Sequence, residues 1–105
     1  MVRGAKINLK LRLLGADGQP LSEEIVNGME LDLYTSTRRD VIAASVEVGS
    51  GIVKESQGVY HIEISEVDTL KLDVSGTAYL EGWLLPVHKK IAINLGKVVD
   101  NIKND

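Results

Sequence analysis

Short runs in which apolar and polar residues alternate recur along the chain, and they constrain its fold more than any other feature. The run from Lys6 to Leu13 has a polar residue at every even position and an apolar residue at every odd one. Similar runs cover residues 29–34, 60–65 and 91–95. Successive side chains of a β-strand point to opposite faces of its sheet, so each run predicts a strand with one apolar face. The pattern therefore indicates an all-β domain, a two-layer antiparallel β-sandwich of about seven strands.

Clusters of Gly, Ser, Asp and Pro separate the runs and set the predicted strand boundaries. Residues 41–48 are ambiguous, because they fit a strand and also fit one or two helical turns that begin after Asp40. We favour the strand, since the segment Gly49–Gly51 that follows is typical of a hairpin turn. The predicted strands are 5–14, 29–35, 41–48, one that begins at 52, 59–64, 77–85 and 89–95, with a short edge strand at 24–26 as a further option.

The segments outside the strands predict one helical turn and a C-terminal tail. The chain length predicts a single domain. Ser65 followed by Asp68 has the spacing of a capping box, which predicts a short helical turn within residues 66–71. Gly96 is expected to end the last strand, and residues 98–105 are expected to form a short amphipathic helix or a frayed tail. The chain has 105 residues, near the usual size of one domain, so residues 1–105 are expected to share one core.

The charged residues give the chain a formal net charge of -3. This acidic balance argues against a nucleic-acid partner. The first strand carries the basic residues Lys6, Lys10 and Arg12, and the second carries Glu30 and Asp32. We expect these two strands to pair through cross-strand ion pairs. The chain has no Cys, which excludes disulfides and thiolate ligands from it.

Residues that support catalysis or metal binding are few and scattered. The histidines His61 and His88 lack the spacing of a zinc site. The sequence contains neither a nucleophile motif of the G-x-S-x-G type nor a phosphate-binding loop. Its carboxylates Glu47, Glu63 and Glu81 fall on different predicted strands, where a solvated sheet face is their expected place. We therefore expect no catalytic residue, no metal, no cofactor and no enzymatic activity.

The predicted strand 77–85 differs from the others because it is apolar on both faces. Tyr79 and Trp83 share one of these faces, with Glu81 between them. Tyr and Trp bury a large area at a low entropic cost, which makes them common at protein contacts. Two interpretations stay open: Trp83 is the core tryptophan of a small sandwich, or Tyr79, Glu81 and Trp83 form a contact surface for a protein partner.

The start of the sequence bears on localisation. Residues Met1–Ala5 lead directly into a strand pattern and carry no apolar stretch of the kind found in signal peptides. No run approaches the roughly 18 apolar residues that a membrane span needs. We expect synthesis in the cytoplasm and no membrane partner.

Three stretches share their turn and strand-entry pattern with a known group of domains. They are the polar turn Asp17–Leu21, the strand entry Gly58–Ile64 and the related Gly-to-Tyr entry Gly76–Tyr79. Together they resemble the small Ig-like β-sandwich domains of phage tail and baseplate proteins, in particular the N-terminal domain of baseplate upper proteins.

The resemblance implies a structural protein without catalytic residues. Such a protein acts through protein–protein contacts, as a homo-oligomer or within a larger phage-type assembly, and becomes part of a virion. The alternative is a carbohydrate- or ligand-binding module of the adhesion type, which would use the rings of Tyr79 and Trp83 as its platform.

Overall fold

The computed structural model describes residues 1–100 of the chain and shows a mostly β fold. Each run of alternating residues centres on a strand. The strands are β1 (Ile7–Arg12), β2 (Met29–Thr35), β3 (Ala44–Val48), β4 (Gly51–Ser56), β5 (Val59–Ile64), β6 (Thr77–Leu84) and β7 (Lys89–Lys97). The helical elements of these residues are α1 (Glu23–Val26), α2 (Glu66–Thr69) and a single 3-10 turn at Leu85–Val87.

The strands of residues 1–100 form one continuous sheet in the order β1-β5-β4-β3-β2-β6-β7. Neighbours are antiparallel except for β3 and β4, so the sheet is mixed. It curls into a half-barrel. The prediction of a β fold is confirmed. Two separate stacked layers are not confirmed, because hydrogen-bonded neighbours connect β1 to β7 without a break.

The predicted pairing of the first two strands is wrong, because β1 pairs with β5 and not with β2. Lys6 Nζ lies 3.7 Å from Glu63 Oε2, and Lys10 Nζ lies 3.3 Å from Glu55 Oε2. The basic residues of β1 do pair with acids, but those acids come from β4 and β5. Charge could not select the partner strand, since exposed acids occur on both β2 and β5.

The connection between β3 and β4 corrects a second prediction. Residues 44–48 form a strand, as favoured, but the turn that follows is not a hairpin. Glu47 pairs in parallel with Gly51, only four residues later in the chain. Between them the chain makes one coil, in which the Ser50 amide donates to the Glu47 carbonyl over 2.9 Å and Gly51 adopts a φ of 93°. This left-handed glycine sends the chain onward in its original direction instead of reversing it.

The apolar faces of the strands meet in one core within the curled sheet. β2 supplies Met29, Leu31 and Leu33, and all three side chains are buried. Burying one such side chain contributes about 1.5–3 kcal/mol, so the alternation of β2 fixes which of its faces turns inward. Fully buried apolar side chains from other elements include Val26, Ile52, Tyr60, Ile62, Leu80, Leu84 and Val98.

The two ends of the described chain meet beside β7. The amino group of Met1 donates to the Lys97 carbonyl over 2.8 Å, and Val2 forms a parallel bridge with Val99. Val98 is fully buried. The prediction that the chain frays from residue 98 is therefore wrong for residues 98 and 99, and the predicted helix or tail over 101–105 lies outside the described residues.

β7 also continues past the glycine that was expected to end it. Gly96 pairs with Ala78, whereas Tyr79 pairs with Asn94, so the strand contains a bulge at this point. Gly96 adopts a φ of 88°, and its amide donates to the side-chain oxygen of Asn94 over 2.7 Å. A glycine in this conformation absorbs the extra residue of a bulge and lets the strand go on.

Both short helices begin after a serine. The predicted capping turn is confirmed at α2, where the Asp68 amide donates to Ser65 Oγ over 3.3 Å, although the helix ends at Thr69 and not at residue 71. α1 replaces the optional edge strand at 24–26, and its first turn carries two glutamates, which favour a helix N-terminus. None of the helices in residues 1–100 has the length and apolarity needed to cross a membrane.

Candidate protein-contact surface

The three predicted contact residues lie on the outer face of the sheet, the face opposite the core. β6 buries Ala78, Leu80 and Leu84 on its inner face. Tyr79, Glu81 and Trp83 alternate with them and therefore share the outer face. Trp83 is 46% exposed, so its interpretation as the core tryptophan is wrong.

Two tyrosine rings and a guanidinium stack on this face beside the predicted residues. Tyr34 of β2 is directly opposite Tyr79 of β6, and their ring centroids are 6.0 Å apart. The guanidinium carbon of Arg39 lies 5.2 Å from the Tyr34 centroid and 5.7 Å from the Tyr79 centroid, a distance typical of cation–π contacts. The two rings are tilted by 36° to each other, and Tyr79 stays partly exposed.

Glu81 is held by its neighbours on both sides. The Tyr34 hydroxyl donates to Glu81 Oε1, and the Lys90 ammonium lies 3.7 Å from the same oxygen. Burial raises the pKa of Tyr34, and the hydrogen bond to the Glu81 carboxylate raises it further, because both favour the neutral phenol. We name Tyr34, Arg39, Tyr79, Glu81 and Lys90 the tyrosine cluster. Hydrogen bonds, one ion pair and cation–π contacts connect its members, so the cluster presents an ordered aromatic surface.

An exposed apolar group adjoins the tyrosine cluster at the end of β6. Trp83, Leu85 and Val87, which we name the apolar tip, are each close to half exposed. Two contacts with Gly28 fix the position of the tip. The Leu85 amide donates to the Gly28 carbonyl over 3.2 Å, and Pro86 packs so closely on Gly28 that an added Cβ would lie 2.4 Å from Pro86 Cδ. The apolar tip is therefore a fixed feature of the sheet end.

The other candidate residues do not converge. His61 Nδ1 on β5 lies 3.8 Å from Glu55 Oε1, whereas His88 follows the 3-10 turn at the far end of β6. Among residues 1–100, no three His, Cys, Asp or Glu side chains group closely enough to hold a metal ion. Glu47 and Glu63 both lie exposed, on β3 and β5.

A shallow acidic pocket was missed by the sequence reasoning. It has a volume of about 370 Å³ and takes its carboxylates from Glu30 and Asp32 of β2 and Glu47 of β3. Ser45 Oγ donates to Asp32 Oδ1 over 2.6 Å. The only signal in the sequence was the alternation of acids along β2, and recognising the pocket required knowledge that β3 is its neighbour.

The chain matches no protein-family model, no curated protein and no solved structure. The surfaces of the molecule are therefore the only guide to its function. The most distinctive of these is the outer face that carries the tyrosine cluster and the apolar tip.

Proposed function

We propose that this chain is a non-enzymatic structural module that joins an assembly through protein–protein contacts. The observation that carries the proposal is the position of Trp83, a large ring that is 46% exposed near the end of β6, a strand paired on both sides. Leu85 and Val87, which follow in the 3-10 turn, are each close to half exposed as well. Trp is the residue type that most often dominates binding at protein interfaces, especially where apolar neighbours exclude water around it.

The rigidity of this surface supports a contact role. β6 is hydrogen-bonded to β2 on one side and to β7 on the other, with Trp83 opposite both Glu30 and Lys90. A side chain on such a strand loses little backbone freedom when a partner binds. The charged residues Glu30 and Lys90 flank Trp83 on the two neighbouring strands, and polar residues of this kind surround interface cores.

The finer form of the proposal places the module in the tail or baseplate of a phage or prophage, as an Ig-like β-sandwich. Its two Gly-to-Tyr strand entries support this. The first leads into β5 and buries Tyr60, and the second leads into β6 and sets Tyr79 on the outer face. In this proposal the two ends of the curled sheet act as facing layers, and the module forms a homo-oligomer or part of a larger particle after synthesis in the cytoplasm.

Sedimentation velocity over a wide range of protein concentration tests the contact role. We expect concentration-dependent association that Trp83→Ser abolishes. Val53→Ser is the matched control, because Val53 is 59% exposed on the doubly paired strand β4, away from the apolar tip. A wild-type chain that stays monomeric at millimolar concentration, or equal effects of the two substitutions, would contradict self-assembly through this face.

A carbohydrate-binding module is the second candidate. Tyr79 and Trp83 lie four residues apart on one face of a strand, which places their attachment points about 13 Å from each other. That spacing lets the two rings stack on separate sugar units of one chain. Titration with oligosaccharides tests it through the fluorescence of Trp83, the only Trp in the sequence. Unchanged fluorescence across a broad glycan panel would remove this candidate.

A further inference from the structure

An acid, an aromatic ring and a base form one row across the outer face of the sheet. Trp83 of β6 is directly opposite Glu30 of β2 on one side and Lys90 of β7 on the other. Neighbouring strands are about 4.8 Å apart, so the row spans about 10 Å. All three side chains are exposed. The row, which we name the charge row, therefore carries opposite charges at equal distances from an exposed tryptophan.

The acid of the charge row has no cation of its own. Within residues 1–100 no ion pair involves the Glu30 carboxylate. Its cross-strand partner on β3 is Glu47, a second acid. Lys90 is 55% exposed, and its ammonium lies 3.7 Å from Glu81 Oε1. Since like charges directly opposite each other repel, a lysine from another molecule would be favoured beside Glu30.

The charge row is complementary to itself under one kind of symmetry. Two copies that stack Trp83 on Trp83 are related by a two-fold axis within the plane of contact. An axis parallel to β6 exchanges the two sides of the row, so Glu30 of each copy lies opposite Lys90 of the other. An axis perpendicular to β6 sets Glu30 opposite Glu30 and Lys90 opposite Lys90. The charges therefore favour the axis parallel to β6.

The same axis avoids like charges in the next rows on β2 and β7. It places Asp32 opposite Ala92 of the second copy and Tyr34 opposite Asn94, neither of which is charged. Glu81 lies close to the axis and approaches its own copy. Its side chain is only 18% exposed and accepts a hydrogen bond from the Tyr34 hydroxyl, so its carboxylate is mostly covered.

The distances between packed sheets suit these pairs. Sheets pack face to face at about 10 Å, a gap that a glutamate and a lysine can span when they extend towards each other. Aligned sheets cross at about 30°, which displaces the ends of the charge row by only about 2.5 Å. Because the sheet curls into a half-barrel, its outer face turns away from the contact beyond β2. The contact is therefore small, and its stability depends on the charges near Trp83.

We propose that the outer face of β6 binds a second copy of this chain about a two-fold axis parallel to β6. Trp83 packs against Trp83, and Glu30 of each copy pairs with Lys90 of the other. This inference rests on the proposed function, because it uses the same exposed tryptophan. It adds the partner, the symmetry and the two ion pairs that select them.

Charge exchange between the two ends of the row tests the proposal. E30K and K90E each place like charges opposite each other twice, so each is expected to weaken association by at least about tenfold in sedimentation velocity. The double variant E30K/K90E restores opposite charges in exchanged positions and is expected to associate like the wild type. An equimolar mixture of E30K and K90E is expected to form a heterodimer, because each variant then meets the opposite charge at both positions.

Two charge reversals elsewhere provide the matched controls. E66K on α2 and R12E on β1 change the net charge by the same amounts at exposed positions away from β6, and should leave association unchanged. Circular dichroism verifies that each variant is folded. A wild-type chain that stays monomeric at millimolar concentration would overturn self-assembly and this inference together. Association that Trp83→Ser abolishes, but that E30K and K90E do not weaken or that their mixture does not recover, would overturn this inference alone.

Discussion

The carbonyl oxygen of Glu30 occupies the space in which a side chain on Gly82 would begin. A Cβ built on Gly82 would lie 1.7 Å from that oxygen and 2.8 Å from Leu31 Cα. β2 and β6 are thus in backbone contact where Leu31 is opposite Gly82. Gly82 alternates with the buried residues Leu80 and Leu84 and directly precedes Trp83 in β6.

Replacement of Gly82 by Ala is therefore expected to be severely destabilising, by more than about 4 kcal/mol, because backbone and not a flexible side chain must move. Gly49→Ala is the control. Gly49 has a φ of 96° and no atom within 4 Å of an added Cβ, so that change costs only backbone strain, about 1 kcal/mol. Urea denaturation measures both. A Gly82→Ala chain as stable as Gly49→Ala would show that the two strands do not approach so closely.

Local patterns in the sequence were sufficient to predict the strands. The alternation at 29–35 and 59–64 predicted β2 and β5 to the residue, because one buried face fixes the phase of a strand. The capping box at Ser65 predicted α2 for a similarly local reason. Tyr79, Glu81 and Trp83 were placed on one face by the same period of two.

Long-range relationships were not predictable from these patterns. The pairing of β1 with β5 depends on how the whole sheet curls, and acids on more than one strand offered plausible partners for Lys6 and Lys10. The coil at Glu47–Gly51 has the composition of a hairpin turn, but it continues in the same direction. Arg39 could not be assigned to the tyrosine cluster, since it is brought there from a loop.

Two glutamates directly opposite each other offer a way to stabilise the sheet. Glu30 and Glu47 are cross-strand partners in the β2–β3 pair, and both are exposed. Like charges at this spacing repel, so Glu47→Gln is expected to raise the free energy of unfolding by about 0.2–1 kcal/mol, less in high salt. Glu63→Gln is the control, because it removes the partner of Lys6 and should not stabilise. Equal effects of both changes in urea denaturation would indicate a general response to net charge instead.

The Tyr34 hydroxyl is expected to couple stability to alkaline pH. Its pKa is raised above the ordinary value of 10.0 by burial and by the bond to Glu81, so the folded chain holds the phenolic proton more tightly than the unfolded chain. The resulting stability is fully present below pH 10.0 and is lost as pH rises through the folded-state pKa.

Tyr34→Phe should cost about 1 kcal/mol at neutral pH, since the hydrogen bond to Glu81 is lost, and should reduce the fall in stability above pH 10.0. Urea denaturation at neutral and alkaline pH measures both effects. Tyr79→Phe removes a hydroxyl from the adjacent ring and leaves the bond between Tyr34 and Glu81 in place, so its alkaline profile should follow the wild type. If Tyr34→Phe kept the full alkaline loss, the loss would have to come from another group.

His88 directly follows the 3-10 turn that contains Leu85 and Val87 of the apolar tip. His88 ends the 3-10 turn with a φ of 51°, the only left-handed conformation of a residue other than Gly within residues 1–100. A β-branched residue tolerates this region poorly, so His88→Val is expected to destabilise the chain by about 1–2 kcal/mol. His88→Gly removes the same imidazole but suits the backbone, and should be neutral or slightly stabilising. Thermal denaturation of the pair separates backbone strain from loss of the ring, and equal melting temperatures would show that the left-handed turn does not hold the tip in place.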